Sequence, residues 1–181
     1  MNSADVILYS GGAAGAETCF GEFAEKHGID EVNFSFEGHK ISRTRGLRIL
    51  NHEELKNGDV SMTYVAGLMH RTYPHTDSIR KILQTIWFQI NNSQEIFVIG
   101  HILDDDTVKG GTGWGAEFAK LCNKTLYVFD QKKHGWFKWN KDKWEEFSNP
   151  VISGAHFAGT GTRTLTDEGK KAIEELYKRS F

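Results

Sequence analysis

The chain contains little proline and little cysteine, and both scarcities exclude classes of protein. Only two prolines and two cysteines occur among 181 residues, against 19 glycines. Cys19 and Cys122 each fall in apolar company on a predicted helix, so we expect buried thiols, no disulfide and a reducing cytoplasmic compartment. The histidines and cysteines lack the spacing of metal ligands, so no metal is predicted, and Asp104–Asp106 is interpreted as a solvated acidic loop.

Long apolar runs and an excess of one charge are also missing. No run approaches the roughly 18–20 residues that span a bilayer, and the first residues lack the pattern of a signal peptide. The net charge is −2, so neither a membrane surface nor nucleic acid is an expected partner. With 39% hydrophobic and 25% charged residues, the composition is typical of a globular protein, and we predict one domain over residues 1–181.

The most informative stretch runs from residue 95 to residue 129. An apolar run at 95–100 predicts a strand, a glycine cluster follows at 110–115, and a helix over 116–122 leads to a second strand at 125–129. Glycines before a helix let backbone N–H groups approach an anion, although a tight turn would need them too. The candidate ligand-binding residues of this unit are Gly100, His101, Lys109, Gly110, Gly111, Thr112, Gly113 and Trp114.

A second unit of the same kind opens the chain. A short strand at 6–9 leads through a glycine loop into a helix that ends at His27-Gly28, and an alternating strand follows at 32–36. Two such units predict an α/β, Rossmann-like fold: a mostly parallel sheet with helices on both faces. Because both loops follow carboxyl ends of parallel strands, we expect them at one sheet edge, sharing one ligand. The candidates here are Ser10, Gly11, Gly12, Gly15 and Ala16.

The remaining segments are less specific. Residues 37–48 are polar and basic, which indicates either a solvated loop or a basic flap over an anionic ligand. Aromatic runs around Asn140-Lys-Asp142 predict a β-hairpin, and a helix capped at Thr166 closes the chain. Between them, Arg163 follows a glycine loop and is a further candidate anion ligand. We therefore place the Rossmann-like core in 1–130, and the C-terminal β-hairpin and helix in 131–181.

Both glycine loops resemble signatures of the SLOG superfamily of Rossmann-like nucleotide binders. Gly110-Gly-Thr-Gly-Trp-Gly-Ala-Glu117 resembles the Gly-Gly-x-Gly-Thr-x-x-Glu signature of the Lonely Guy proteins. Ser10-Gly-Gly-Ala-Ala-Gly-Ala-Glu17 resembles the Ser-Gly-Gly-x-x-Gly-Ala-Asp loop of molybdenum-carrier-like members, and 157–163 resembles a Gly-x-Gly-Ser-Arg loop of the superfamily. The overall plan resembles uncharacterised phage and bacterial proteins of this group, so the host cytoplasm is the expected location if the protein is phage-encoded.

The resemblance implies a nucleotide or ADP-ribose-like ligand at the carboxyl edge of the sheet, and a homo-oligomer is expected. Lonely Guy enzymes hydrolyse an N-glycosidic bond with a glutamate and an upstream arginine. By position these correspond to Glu117 and Arg80, the candidate catalytic residues, but Trp114 and Lys109 depart from the signature. Three functions stay open: a nucleotide receptor or sponge, an N-glycosidic hydrolase, and a protein-interaction module that uses the Trp-rich hairpin. No resident cofactor is predicted.

Overall fold

The computed structural model describes residues 2–181, and its strands form one mixed sheet. In chain order the strands are β1 (Ile7–Ser10), β2 (Asp30–Phe36), β3 (Leu47–Leu50), β4 (Glu95–Gly100), β5 (Thr125–Asp130), β6 (Gly135–Asn140), β7 (Lys143–Glu146) and β8 (His156–Gly161). The helices are α1 (Ala16–Lys26), α2 (His52–Lys56), α3 (Asp59–Leu68), α4 (Asp77–Asn91), α5 (Thr112–Leu121) and α6 (Asp167–Ser180).

The strand order is β3-β2-β1-β8-β4-β5-β6-β7. The first six strands in that order are parallel, whereas β6 and β7 pair antiparallel as a hairpin. The predicted α/β class with a mostly parallel sheet is confirmed. Parallel pairing places the carboxyl ends of β1, β8 and β4 side by side at one edge of the sheet.

Strand β8 lies at the centre of the sheet, between β1 and β4. Its register pairs Phe157 with Leu8 on one side and with Glu95 on the other. Phe157 and Ala158 are fully buried. The prediction that the core ends near residue 130 is therefore wrong, because a strand from the last 30 residues completes the middle of the sheet. A six-residue strand rich in glycine and threonine carries too weak a pattern to reveal its central position.

Helices cover both faces of the sheet. On one face α1 and α6 pack together, with Phe20, Ile173 and Tyr177 fully buried in the shared cluster. The Tyr177 hydroxyl donates to the Phe20 carbonyl at 2.8 Å, so the polar group of this buried ring is satisfied. On the other face α3, α4 and α5 bury a second apolar cluster that includes Met62 and Ile90.

Two local expectations differ from the structure. The predicted loop over 37–48 includes the start of edge strand β3, in which only Leu50 is buried, so no alternating pattern marks it. Cys19 is buried as expected, and burial raises the pKa of its thiol to about 11. Cys122, in contrast, is exposed just after α5, and both thiols are free.

None of the helices within residues 2–181 is both long enough and apolar enough to cross a membrane.

The central position of β8 leads to a prediction about the free energy of unfolding. A Cβ at Gly159 would lie 2.5 Å from the Phe20 ring, which is buried between sheet and helix. We expect Gly159→Ala to lower the free energy of unfolding by about 1–3 kcal/mol, because overpacking forces the surrounding core to shift. Urea denaturation measures the change.

Gly67→Ala in α3 is the matched control. A Cβ at Gly67 meets nothing within 4 Å, so alanine should raise the free energy of unfolding by about 0.5–1 kcal/mol through helix propensity. Equal stability of Gly159→Ala and the wild type would contradict the close packing of β8.

Candidate functional site

A cleft of about 650 Å³ opens at the carboxyl edge of β1, β8 and β4. Loops from the first, middle and last parts of the chain meet there, together with one face of α4. The lining residues are Gly11, Ala13, Glu17, His39, Ile82, Thr85, Ile86, Gln89, Gly100, His101, Lys109, Gly110, Gly111, Thr112, Thr160, Gly161, Thr162, Arg163 and Thr164. The volume lies within the range of small-molecule sites in proteins, about 300–1,000 Å³.

The second glycine loop presents unused backbone donors to this cleft. Gly110 has φ +76°, a conformation that favours glycine, and Gly111 is the N-cap residue of α5. Within residues 2–181 the N–H groups of these two glycines form no hydrogen bond. Arg71 donates to the Gly110 carbonyl at 3.3 Å, which helps to hold the loop in place. The arrangement is an open helix N-terminus suited to an anion.

Two cations line the same cleft without a carboxylate partner. Lys109 precedes the second glycine loop, and Arg163 follows β8. Both are exposed, and neither forms an ion pair within the part of the chain that the structure describes. Most other arginines are engaged elsewhere; Arg43, for example, is held by the fully buried side chain of Glu31. Lys109 and Arg163 therefore bring positive charge that is outside any ion pair close to free N–H donors.

The first glycine loop is arranged differently, because Glu17 fills the position that an anion would take. Glu17 lies in the first turn of α1 and is only 7% exposed. Its carboxylate accepts hydrogen bonds from the Ala13 N–H at 2.9 Å and from the Thr160 hydroxyl at 2.8 Å. Burial raises the pKa of Glu17, although these donors and the Gly11 backbone act in the opposite direction. This loop binds its own carboxylate rather than offering its donors to a phosphate.

Two further polar side chains at the cleft lack partners. Gln89 is 1% exposed, and its Oε1 atom has no hydrogen-bond donor within residues 2–181. The buried Nδ1 atom of His101 is also unpaired and lies 3.8 Å from the nearest Asp130 oxygen, beyond hydrogen-bond distance. Burial alone would raise the pKa of Asp130, but the N–H groups of Ile102, Lys133 and Lys132 outweigh it and lower that pKa.

The basic segment after β2 is attached to the first glycine loop through its backbone. The Gly12 carbonyl accepts hydrogen bonds from the N–H groups of Ser42 and Arg43, at 2.9 and 3.1 Å. Of the basic side chains predicted in the flap, only His39 lines the cleft. Burial lowers the pKa of His39, and the nearby Arg163 lowers it further. The flap therefore contributes the imidazole ring of His39 to the cleft, and it does not contribute a cluster of cations.

Several candidate residues support the cleft without lining it. The buried Ser10 hydroxyl donates to the Gly159 carbonyl at 2.7 Å and joins β1 to β8. Gly15 has φ +89°, and a Cβ there would lie 2.5 Å from the carbonyl oxygens of Thr162 and Arg163. The Ala16 N–H donates to the Thr162 carbonyl at 3.0 Å. In the second loop, Gly113 packs against the Val108 carbonyl, and buried Trp114 contacts the Tyr73 ring.

The two candidate catalytic residues also lie outside the cleft lining. Glu117 forms an ion pair with Lys120 at 2.6 Å, and only 12% of its side chain is exposed. Arg80 forms an ion pair with Asp59 at 3.0 Å and lies over the Tyr73 ring. Both side chains are thus occupied by neighbours on the helical layer of α3, α4 and α5. The structure does not bring Glu117 and Arg80 into the cleft as the catalytic pair that the resemblance to Lonely Guy enzymes implies.

The Trp-rich hairpin packs against α5 and the acidic loop. The Lys120 ammonium lies 3.8 Å from the ring centre of Trp139 and 4.9 Å from that of Trp144. The Trp144 indole N–H donates to the Asp106 carbonyl at 2.9 Å. These contacts show that the aromatic side chains attach the hairpin to α5 and to the acidic loop. Among residues 2–181, no three histidine, cysteine or acidic side chains are grouped as metal ligands.

Sequence reasoning missed Glu17 and Gln89 as cleft residues, yet each left a signal. Glu17 is an acidic residue directly after a glycine loop, where it competes with an external anion for the same donors. Gln89 interrupts the apolar spacing of Ile82, Ile86 and Ile90 on α4. A polar residue on the apolar face of a helix is unexpected in a core, and it indicates that this part of the face lies against a polar site.

Comparison with known proteins supports the fold. No protein-family model matches the chain, and no curated protein matches it. The crystal structure of a "Putative molybdenum carrier protein" from Syntrophus aciditrophicus is similar, with a TM-score of 0.51 and 16% sequence identity. The match covers 99% of this chain and 92% of that one. A structural likeness at this low sequence identity shows a common fold alone.

The buried carboxyl group of Glu17 predicts a pH dependence of stability. Burial raises its pKa above the ordinary value of 4.5 in the folded protein, so the unfolded chain ionises first as the pH rises. Stability relative to Glu17→Gln should be greatest at low pH and should fall from about pH 4.5 up to the raised pKa. Urea denaturation of both proteins across this pH range measures the difference. A difference that grows with pH would mean that the hydrogen-bond donors outweigh burial.

Proposed function

We propose that the cleft binds a phosphorylated nucleotide or ADP-ribose-like ligand, and that the protein acts as a receptor or sponge for such a ligand. One observation carries the proposal: the unpaired cations Lys109 and Arg163 face the same cleft as the free N–H groups at the start of α5. Phosphate favours this combination, because backbone donors and the helix dipole act together with the cationic side chains.

The phosphate is assigned to the second glycine loop rather than shared between both loops. At the first loop, Glu17 occupies the Ala13 N–H, and Ala16 donates its N–H to Thr162. A phosphate there would meet a carboxylate and few free donors. The non-phosphate part of the ligand is therefore assigned to the side of the cleft formed by Glu17, Gln89 and the apolar side chains of α4.

The alternatives are less well supported. An N-glycosidic hydrolase of the Lonely Guy kind would use Glu117 near the scissile bond, but Lys120 holds Glu117 away from the cleft lining. The carboxylate that does line the cleft, Glu17, is already engaged by the Ala13 N–H and the Thr160 hydroxyl. An interaction module would need free aromatic side chains, whereas Trp139 and Trp144 contact each other and Lys120. The similar structure is named for carrying molybdenum, so sodium molybdate belongs in any ligand panel.

Calorimetry with AMP, ADP, ADP-ribose, inorganic phosphate and molybdate tests the proposal. We expect a nucleotide to bind, and we expect Lys109→Ala and Arg163→Ala each to weaken binding about tenfold to a hundredfold, the value of a hydrogen bond to a charged group. Gly111→Val should block the phosphate position with the side chain that it adds. The variant should still fold, because a Cβ there meets no protein atom within 4 Å.

Lys171→Ala removes an exposed lysine of α6 and serves as the matched control, with unchanged affinity expected. Glu117→Gln should also bind as the wild type does. Binding of molybdate but not of any nucleotide, or nucleotide affinity that is unaffected by all three cleft variants, would refute the proposal.

A further inference from the structure

The wall of the cleft beside the first glycine loop carries two buried polar side chains, and one of them has an acceptor atom without a donor. Gln89 is 1% exposed and its Oε1 atom has no partner. Glu17 is 7% exposed. Its Oε1 atom receives one hydrogen bond, from Thr160, although a carboxylate oxygen can accept about two. A buried acceptor is costly to leave without a donor, so this wall favours a ligand that brings donors.

The two side chains lie close together. A Cβ built on Gly11 would lie 2.6 Å from Gln89 Nε2 and 2.9 Å from Glu17 Oε2. Both groups therefore converge on the Gly11 backbone, where glycine leaves room for them. Rotation of the Gln89 amide about its last bond exchanges its oxygen and nitrogen. The pair can thus meet a ligand with two adjacent groups that both donate and accept.

We infer that Glu17 and Gln89 recognise the vicinal diol of a ribose, and that the site discriminates ribose-containing ligands from their deoxy counterparts. Each hydroxyl donates one hydrogen bond and accepts others, so one can donate to the Glu17 carboxylate while its neighbour pairs with the Gln89 amide. An amino group on a base donates but does not accept, and it satisfies only part of this wall. The inference rests on the proposed function, since the phosphate at the second loop places the sugar here.

The loss of one hydroxyl should be costly, because it leaves buried polar groups of the protein unpaired. Calorimetry compares AMP with 2′-deoxy-AMP and 3′-deoxy-AMP, and ribose 5-phosphate with 2-deoxyribose 5-phosphate. We expect the wild-type protein to prefer each ribose compound by about tenfold or more. In Gln89→Met, a near-isosteric change, this preference should fall towards one, with the affinity for the deoxy compounds kept within about twofold.

A spectroscopic readout separates recognition from a merely structural effect. The side-chain amide resonance of Gln89, assigned with Gln89→Met, should shift when ribose 5-phosphate is added and should shift less with the 2-deoxy sugar.

The outcomes are distinguishable. Tight binding of AMP and 2′-deoxy-AMP with equal affinity by the wild type would overturn the diol inference while leaving the proposed function intact. A preference for ribose that survives both Gln89→Met and Glu17→Gln would overturn the assignment to these two residues. Failure of every phosphorylated probe to bind would refute the proposed function and the inference with it.

Discussion

The pairing of β8 between β1 and β4 is the interaction on which the rest of the structure depends. Both of its edges make parallel ladders, and the Ser10 hydroxyl adds a bond to its Gly159 carbonyl. Without β8, the two βαβ-type halves of the sheet would share no ladder. Because β8 runs in the same direction as its neighbours, its end delivers residues 160–164 to the edge where both glycine loops lie. The central position of β8 therefore accounts both for the continuity of the sheet and for the residues that β8 and the loop after it bring to the cleft.

The cleft derives its polarity from an asymmetry between two similar loops. Each loop is followed by the tripeptide Gly-Ala-Glu, at 15–17 and at 115–117. Helix α1 begins at Ala16, so Glu17 lies in its first turn and caps the loop from within. Helix α5 begins at Thr112, so Glu117 lies beyond the first turn and pairs with Lys120. One helix N-terminus is neutralised by its own chain, and the other stays open to an external anion.

Buried polar groups carry most of the chemical information in the site. Glu17, Gln89 and His101 all lie at the cleft, and the last two keep polar atoms without partners among residues 2–181. Such atoms are costly in a folded protein, and this cost makes them informative about a ligand. For the proposed ligand, the exposed cations are the expected contacts of the phosphate, and the buried polar groups are the expected contacts of the group that accompanies it.

The α/β class and the position of both glycine loops after parallel strands could be predicted from the sequence, because glycine clusters between apolar runs and helices leave few other conformations open. Three features could be recognised only in the folded chain: β8 lies at the centre of the sheet, Glu17 rather than Glu117 lies at the cleft, and Gln89 lines it. A short strand has no pattern that specifies its neighbours. The role of the repeated Gly-Ala-Glu tripeptide depends on where each helix begins, and packing against the sheet sets that position.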